Sequence, residues 1–225
     1  MREPSPVKAV SLVDQVTHHL REQIINGELP AGGSIAIIRL AEQMDVSHIP
    51  VREALRRLET EGLVAIRAGR GAMVTPLRTE DVRGIYRIRR WIEPELAALS
   101  SAMITKEDFR TLEECLRVLE DGSIDDEINA HKSFHLNLLR PAASAWDNRI
   151  LEYLWNANER YTRFYFRPPS HDHPKAIAES HASLLRAIRS RNAERIRTKL
   201  REHLDDNETA LLKALEPAHS DGSTG

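Results

Sequence analysis

Apolar residues recur every three or four positions along almost the whole chain, which restricts the fold to packed helices with a single break. Leu12, Val13, Val16, Leu20 and Ile24 mark a first helix that stops at Gly27 and Pro30. A short second helix fits Ile38 to Met44, and a tight break follows at Asp45. A third runs to about Glu61 and ends at Gly62. Ser47 is its expected N-cap, because a serine hydroxyl accepts a free first-turn amide. Pro50 is tolerated there, since first-turn amides have no intrahelical partner. The break comes next. Leu63-Val64-Ala65-Ile66-Arg67 reads as a strand, Ala68-Gly69-Arg70-Gly71 as a turn and Ala72-Met73-Val74-Thr75 as a return strand closed by Pro76. Three helices and a hairpin make a winged helix-turn-helix, assigned to residues 8–76.

The remainder reads as helix throughout, with candidates at 79–101, 105–120, 125–139, 146–166, 173–190 and 193–214. Thr105 and Asp108 resemble a capping box with Asp in place of Glu. Pro141, Pro168-Pro169 and Pro174 punctuate the connections. The fold class is therefore mostly α: an N-terminal winged helix-turn-helix with a small β-hairpin wing, then a C-terminal antiparallel all-α bundle over 77–216. Residues 217–225 are small and polar and are expected to form a disordered tail.

Charge and cysteine usage narrow the function classes. The chain carries 32 Lys+Arg against 34 Asp+Glu, a net charge of −2, so bulk charge does not advertise a nucleic-acid partner. Residues 1–76 alone hold nine basic and nine acidic side chains, so any DNA contact rests on local placement. No apolar run approaches the roughly 18 residues of a membrane helix. Met1 to Val10 shows no secretory pattern, and the cytoplasm is the expected compartment. The single cysteine, Cys115, excludes an intrachain disulfide and a Cys-rich zinc module.

Local placement does favour DNA. The third helix carries Ser47, His48, Arg52, Arg56 and Arg57. The second helix of a helix-turn-helix enters the major groove through its N-terminal residues. Ser47 can donate to a phosphate, and Arg52 can grip a phosphate or pair bidentately with guanine. Gly69 and Arg70 fall at the wing tip, where an arginine can enter the minor groove. The competing explanation is a solvated arginine face. The segments "LREQIINGELPAGGSI", "VSHIPVREALRRLETEGLV" and "GRGAMV" resemble the GntR family of bacterial repressors over residues 12 to 76. The resemblance puts DNA contacts on Ser47, His48, Arg52, Gly69 and Arg70. Two positions depart from the family: His48 and Ile37-Ile38 stand where an arginine and a Glu-Arg pair are usual.

Four of the ten histidines lie on apolar stripes. His131 and His135 are spaced i,i+4 beside Ile128 and Leu138, and so share one helix face. His181 lies in line with Ile177, Leu184 and Ile188, and His203 with Ile196, Leu200 and Leu204. Convergence on one divalent metal would satisfy all four, since neutral imidazole is a favoured ligand of zinc and nickel. Separate core histidines with one hydrogen bond each are the alternative. Arg89 sits between Ile85 and Ile92 on an inward line and needs an anionic partner, either a structural carboxylate or an effector carboxylate.

"IYRIRRWIEPELAALS", "HKSFHLNLL", "ESHASLLRAIRSRNAERI" and "LREHL" resemble the FCD-type ligand-binding domain of the FadR subgroup, and six helices fit its smaller VanR-like group. The resemblance implies a metal site on His131, His135, His181 and His203, with His131 standing where an aspartate is usual. It also implies an effector-facing role for Arg89. Arg163, amid Tyr161, Phe164, Tyr165 and Phe166, is a second effector candidate. The expected protein is a non-enzymatic, homodimeric transcriptional regulator on a pseudo-palindromic double-stranded operator, with repression relieved by a small carboxylate bound beside zinc or nickel. A regulator sensing the metal alone, and a metal-dependent hydrolase with a DNA-binding head, are the rivals. No Glu or Asp stands out on the histidine faces to serve the hydrolase.

Overall fold

The structure, a computed structural model, describes residues 11–67, 71–166 and 174–216. The chain divides into two compact units, Met1–Leu77 and Arg78–Gly225. The expected tail at 217–225 lies outside the described residues.

In the first unit, α1 spans Leu12–Ile25, β1 Ser34–Ile35, α2 Ile37–Gln43, α3 His48–Thr60, β2 Val64–Arg67 and β3 Gly71–Val74. A capping box starts α1: the Ser11 hydroxyl accepts from the Asp14 amide, and the Asp14 carboxylate accepts from the Ser11 amide. Val16, Leu20 and Ile24 of α1 meet Val51, Leu55 and Leu58 of α3 in one core with Val64 and Val74. The turn between α2 and α3 reverses at Asp45, whose φ is 52°, a left-handed conformation that aspartate tolerates better than most residues. Ser47 occupies the N-cap of α3 with extended backbone, but its side chain makes no capping hydrogen bond. The expected cap is thus corrected: the hydroxyl is left for other partners.

The wing is larger than a hairpin. Three antiparallel strands run in the order β1-β3-β2. β2 and β3 pair Val64 with Val74 and Arg67 with Gly71, and β1 adds Ser34 opposite Met73. A two-residue strand such as β1 leaves no alternation to read, which is why the sequence shows only the hairpin.

The second unit contains α4 (Thr79–Met103), α5 (Lys106–Asp121), α6 (Ile124–Leu139), α7 (Ala145–Phe166), α8 (Pro174–Arg189) and α9 (Ala193–Leu215). The capping box at Thr105 and Asp108 is present. α4 and α9 run antiparallel, clasped by Arg90–Glu208 at 2.6 Å and Arg197–Glu95 at 2.8 Å. The Ser100 hydroxyl donates to the Leu139 carbonyl at 2.9 Å and ties α4 to the end of α6.

The inward stripe of α4 runs Val82, Tyr86, Arg89, Glu93, Leu96 and Ser100. It therefore buries a full ion pair: Arg89 and Glu93 are both 0 % exposed, and Arg89 Nε donates to Glu93 Oε1 at 2.6 Å. The guanidinium also lies 4.0 Å from the Trp155 ring centroid. Removing one member of a buried pair strands the other charge, whereas removing both leaves only apolar repacking. Arg89→Met and Glu93→Leu should each lower unfolding free energy by about 3–5 kcal/mol in chemical denaturation, and the double variant should recover most of the loss. A double variant as unstable as the singles would contradict this reading.

Candidate functional site

The nucleic-acid face is built at the start of α3. Ser47, His48 and Arg52 are exposed there. The first turn of α3 carries no acidic residue, so the partial positive charge of its free amides is not neutralised and favours phosphate. Arg56 is held by Glu53 at 3.0 Å, Arg57 by Asp14, and Arg21 by Glu61 at 2.6 Å. Arg39 and Arg52, by contrast, have no ion pair or hydrogen bond among the described residues. Arg52 thus differs from its neighbours in leaving its charge uncommitted within the protein. Gly69 and Arg70 lie outside the described residues.

The second unit gathers its histidines as their spacing suggests. His131 and His135 come from α6, His181 from α8 and His203 from α9. All four are buried, and one ring nitrogen from each lies within 4.8 Å of the other three. Ring centroids are 5.0 Å apart for His135–His203 and 4.5 Å for His181–His203. Burial is the main cause that lowers every one of the four pKa values, with neighbouring imidazoles and Arg89 pushing the same way in most. His181 is brought down to about 4 by burial, its hydrogen bond to the Ile177 carbonyl opposing the shift. The imidazoles are therefore neutral at pH 7.

Neutral imidazole has one N–H and one lone pair, so the partners fix the tautomers. His181 Nδ1 donates to the Ile177 carbonyl at 2.7 Å, which puts its lone pair on Nε2, a buried atom with no partner. His203 Nδ1 lies 2.9 Å from the Ser180 hydroxyl, and its Nε2 accepts from Asn207 Nδ2 at 3.0 Å. His135 Nε2 lies 3.1 Å from His203 Nε2. The other nitrogen of His135 lies 3.5 Å from Glu93 Oε2, too long for a formed hydrogen bond, and a neutral ring makes no ion pair there. One proton cannot serve both sides of His135. A cation among the Nε2 atoms, with the proton on Nδ1 towards Glu93, satisfies both. His131 Nδ1 is also buried without a partner. The donor set fits a divalent ion of the zinc or nickel type, held by imidazole nitrogen.

A cavity of ≈ 40 Å³ adjoins this centre, with Tyr86, His131, Thr162, Phe166, Asn207 and Leu211 in its wall. That size has room for a water-sized group and is well below the range of small-ligand pockets, so an organic effector needs the wall to open. Two expectations for it need correction. Arg89 is not a free fork: Glu93 already takes Nε and Nη2, leaving only Nη1 unpartnered. Burial is the largest single influence and disfavours its charge, but Glu93 and Tyr86 together outweigh it and hold the pKa up. Arg163 does not line the cavity, because Asp125 at 2.7 Å and Glu159 at 3.2 Å hold it elsewhere. Glu93 was missed on the histidine faces because it arrives from α4. Its signal was the i,i+4 spacing from Arg89. Asn207 has the same i,i+4 spacing from His203, whereas Ser180 reaches His203 from another helix and has no such signal.

Residues 12–74 match the family described as bacterial regulatory proteins, gntR family, and residues 81–206 match the FCD domain. The uncharacterized HTH-type transcriptional regulator BphR of Paraburkholderia xenovorans (strain LB400) is 31 % identical over 218 residues, covering 91 % of this chain and 87 % of that protein. The HTH-type transcriptional repressor RspR of Escherichia coli (strain K12) is 27 % identical, covering 85 % of each. Among solved structures, E. coli McbR/YncC superposes with a TM-score of 0.72 at 26 % identity, covering 91 % of this chain and 99 % of that one. These relatives are regulators, not enzymes. The chain belongs to the GntR family of bacterial regulatory proteins, with a winged helix-turn-helix head and an FCD domain, and is a DNA-binding transcriptional regulator.

Proposed function

We propose that this regulator is a cytoplasmic, homodimeric repressor. Its affinity for a pseudo-palindromic operator is controlled by a small organic acid bound beside a divalent metal ion on His131, His135, His181 and His203. The observation that carries the reading is the unsatisfied lone pair of buried His181 Nε2 beside the two facing Nε2 atoms of His135 and His203. The metal would supply a Lewis-acidic anchor for a carboxylate. Thr162 and Asn207 offer polar contacts in the adjoining cavity, and Phe166 and Leu211 offer apolar ones. RspR carries the name of a repressor, which supports that direction of control.

The dimer draws support from exposed apolar side chains on α4 and α7. Trp91 and Trp146 are each 70 % exposed, joined by Leu99, Met103, Ile150 and Tyr153. Exposed apolar side chains in this number support an association surface on these helices, and a two-fold interface would cover them on both copies. A second reading, in which the metal itself is the signal, is favoured by the neutralisation of Arg89 by Glu93. Titrating zinc against operator affinity in carboxylate-free buffer separates the two: a change in affinity supports metal sensing, and none until an acid is added supports the effector reading.

Three outcomes test the proposal. Protein purified without a metal-affinity column should hold about one divalent ion per chain by elemental mass spectrometry. His135→Ala and His203→Ala should lose it, and a native chain that takes up neither zinc nor nickel would refute the centre. The pH dependence has a definite sign. Each buried histidine has a folded pKa below its unfolded value near 6.5, so below that pH the unfolded chain binds more protons. The melting temperature of the metal-free protein should therefore fall as pH drops from about 6.5 towards 4, and zinc should resist the fall; a flat profile would count against it. Finally, Arg52→Ala should weaken operator binding by about tenfold or more in a fluorescence-anisotropy titration. Arg57→Ala, already engaged with Asp14, should cost less.

A further inference from the structure

The apolar residues of α3 divide cleanly. Val51, Leu55 and Leu58 are buried against α1, whereas Ile49 is 63 % exposed in the first turn. Ile38, at the start of α2, is 73 % exposed. A single exposed isoleucine needs no explanation. These two sit where DNA is expected. Ile49 lies between His48 and Pro50, and at i,i+3 from Arg52 it shares that residue's face of the helix. Ile38 lines the same surface groove as Ser47 and His48. Neither side chain can hydrogen-bond a base or neutralise a phosphate. The base-edge group they can recognise is the thymine 5-methyl, which projects into the major groove and is read by apolar contact.

We propose that Ile49 reads a thymine methyl group in each half-site, and that Ile38 covers a second one nearby. The operator then carries T·A pairs at these two positions. The unpaired guanidinium of Arg52 supplies the polar contact between protein and duplex on the same face. His48, exposed beside Ile49, puts no guanidinium next to this apolar contact, where an arginine would keep it more hydrated. Part of the sequence preference is thus carried by desolvation instead of hydrogen bonding. Cytosine, which presents an amino donor and no methyl, is rejected at these positions.

The test uses the full-length protein and double-stranded DNA. A motif is first selected from a random duplex library. Each of its thymines is then replaced singly by deoxyuridine, which removes the methyl and keeps the pairing. Native protein should lose about fourfold in affinity at one thymine per half-site, the loss expected for one methyl-sized apolar contact. Ile49→Ala should bind the thymine operator more weakly and be indifferent to the methyl at that position. Ile38→Ala should do the same at the second position. Both residues are exposed, so both variants should melt with the native protein. If Ile49→Ala binds too weakly to titrate, Ile49→Val carries the same comparison with a reduced penalty. A selected motif without an invariant T·A pair, native binding indifferent to every deoxyuridine, or an Ile49→Ala variant as sensitive as native would each overturn the proposal.

Discussion

The second unit is organised by one electrostatic constraint: four imidazoles removed from water cannot all be satisfied by protein partners alone. Desolvation keeps them uncharged, and neutrality leaves each ring one proton for two nitrogens. The outer nitrogens of His181 and His203 are held by Ile177 and Ser180, so α8 is bonded to both rings and turns their Nε2 atoms inward, that of His181 unpartnered. The rotation of three helices about their own axes is thereby tied to one point. A centre of this kind is rigid because the elements it joins are long and each contributes from its interior face.

Charge is handled on α4. The cluster itself contains no anion, yet Glu93 stands behind His135 and shares its carboxylate with Arg89. Such an arrangement can raise the basicity of a ligating ring through its outer nitrogen. It also means that Arg89 arrives already compensated, stacked near Trp155 and Tyr86. Arg89 does not line the neighbouring cavity, and with Nε and Nη2 on Glu93 it has no bidentate grip to offer there. The same helix that begins directly after the DNA-binding unit thus carries the pair on which the bundle interior depends.

Much of this was legible because helices announce themselves by period. The bounds of α5, α6, α7 and α9 fall within a residue or two of those expected, and the apolar line through His131, His135, His181 and His203 does turn inward. What escaped had no period to reveal it. β1 is two residues long. The capping bond of Ser47 depended on a rotamer. Glu93 reaches His135 and Ser180 reaches His203 across helices, and sequence spacing reports only neighbours on the same one. Arg163 looked like a cavity residue because aromatic residues flank it, but Asp125, 38 positions away, holds it instead.

The pairing of arginines in the DNA-binding unit has a consequence for how the protein moves through a genome. Arg21, Arg56 and Arg57 each spend their charge on a carboxylate of the same unit, and its nine basic residues are matched by nine acidic ones within residues 1–76. Every guanidinium so engaged is one fewer counterion displaced from the duplex on contact. Random chromosomal DNA, present in vast excess over any operator, is therefore a poor sink for this regulator. Fewer displaced counterions mean weaker binding to non-operator sequence, so a larger share of its copies is expected to remain free to find the operator.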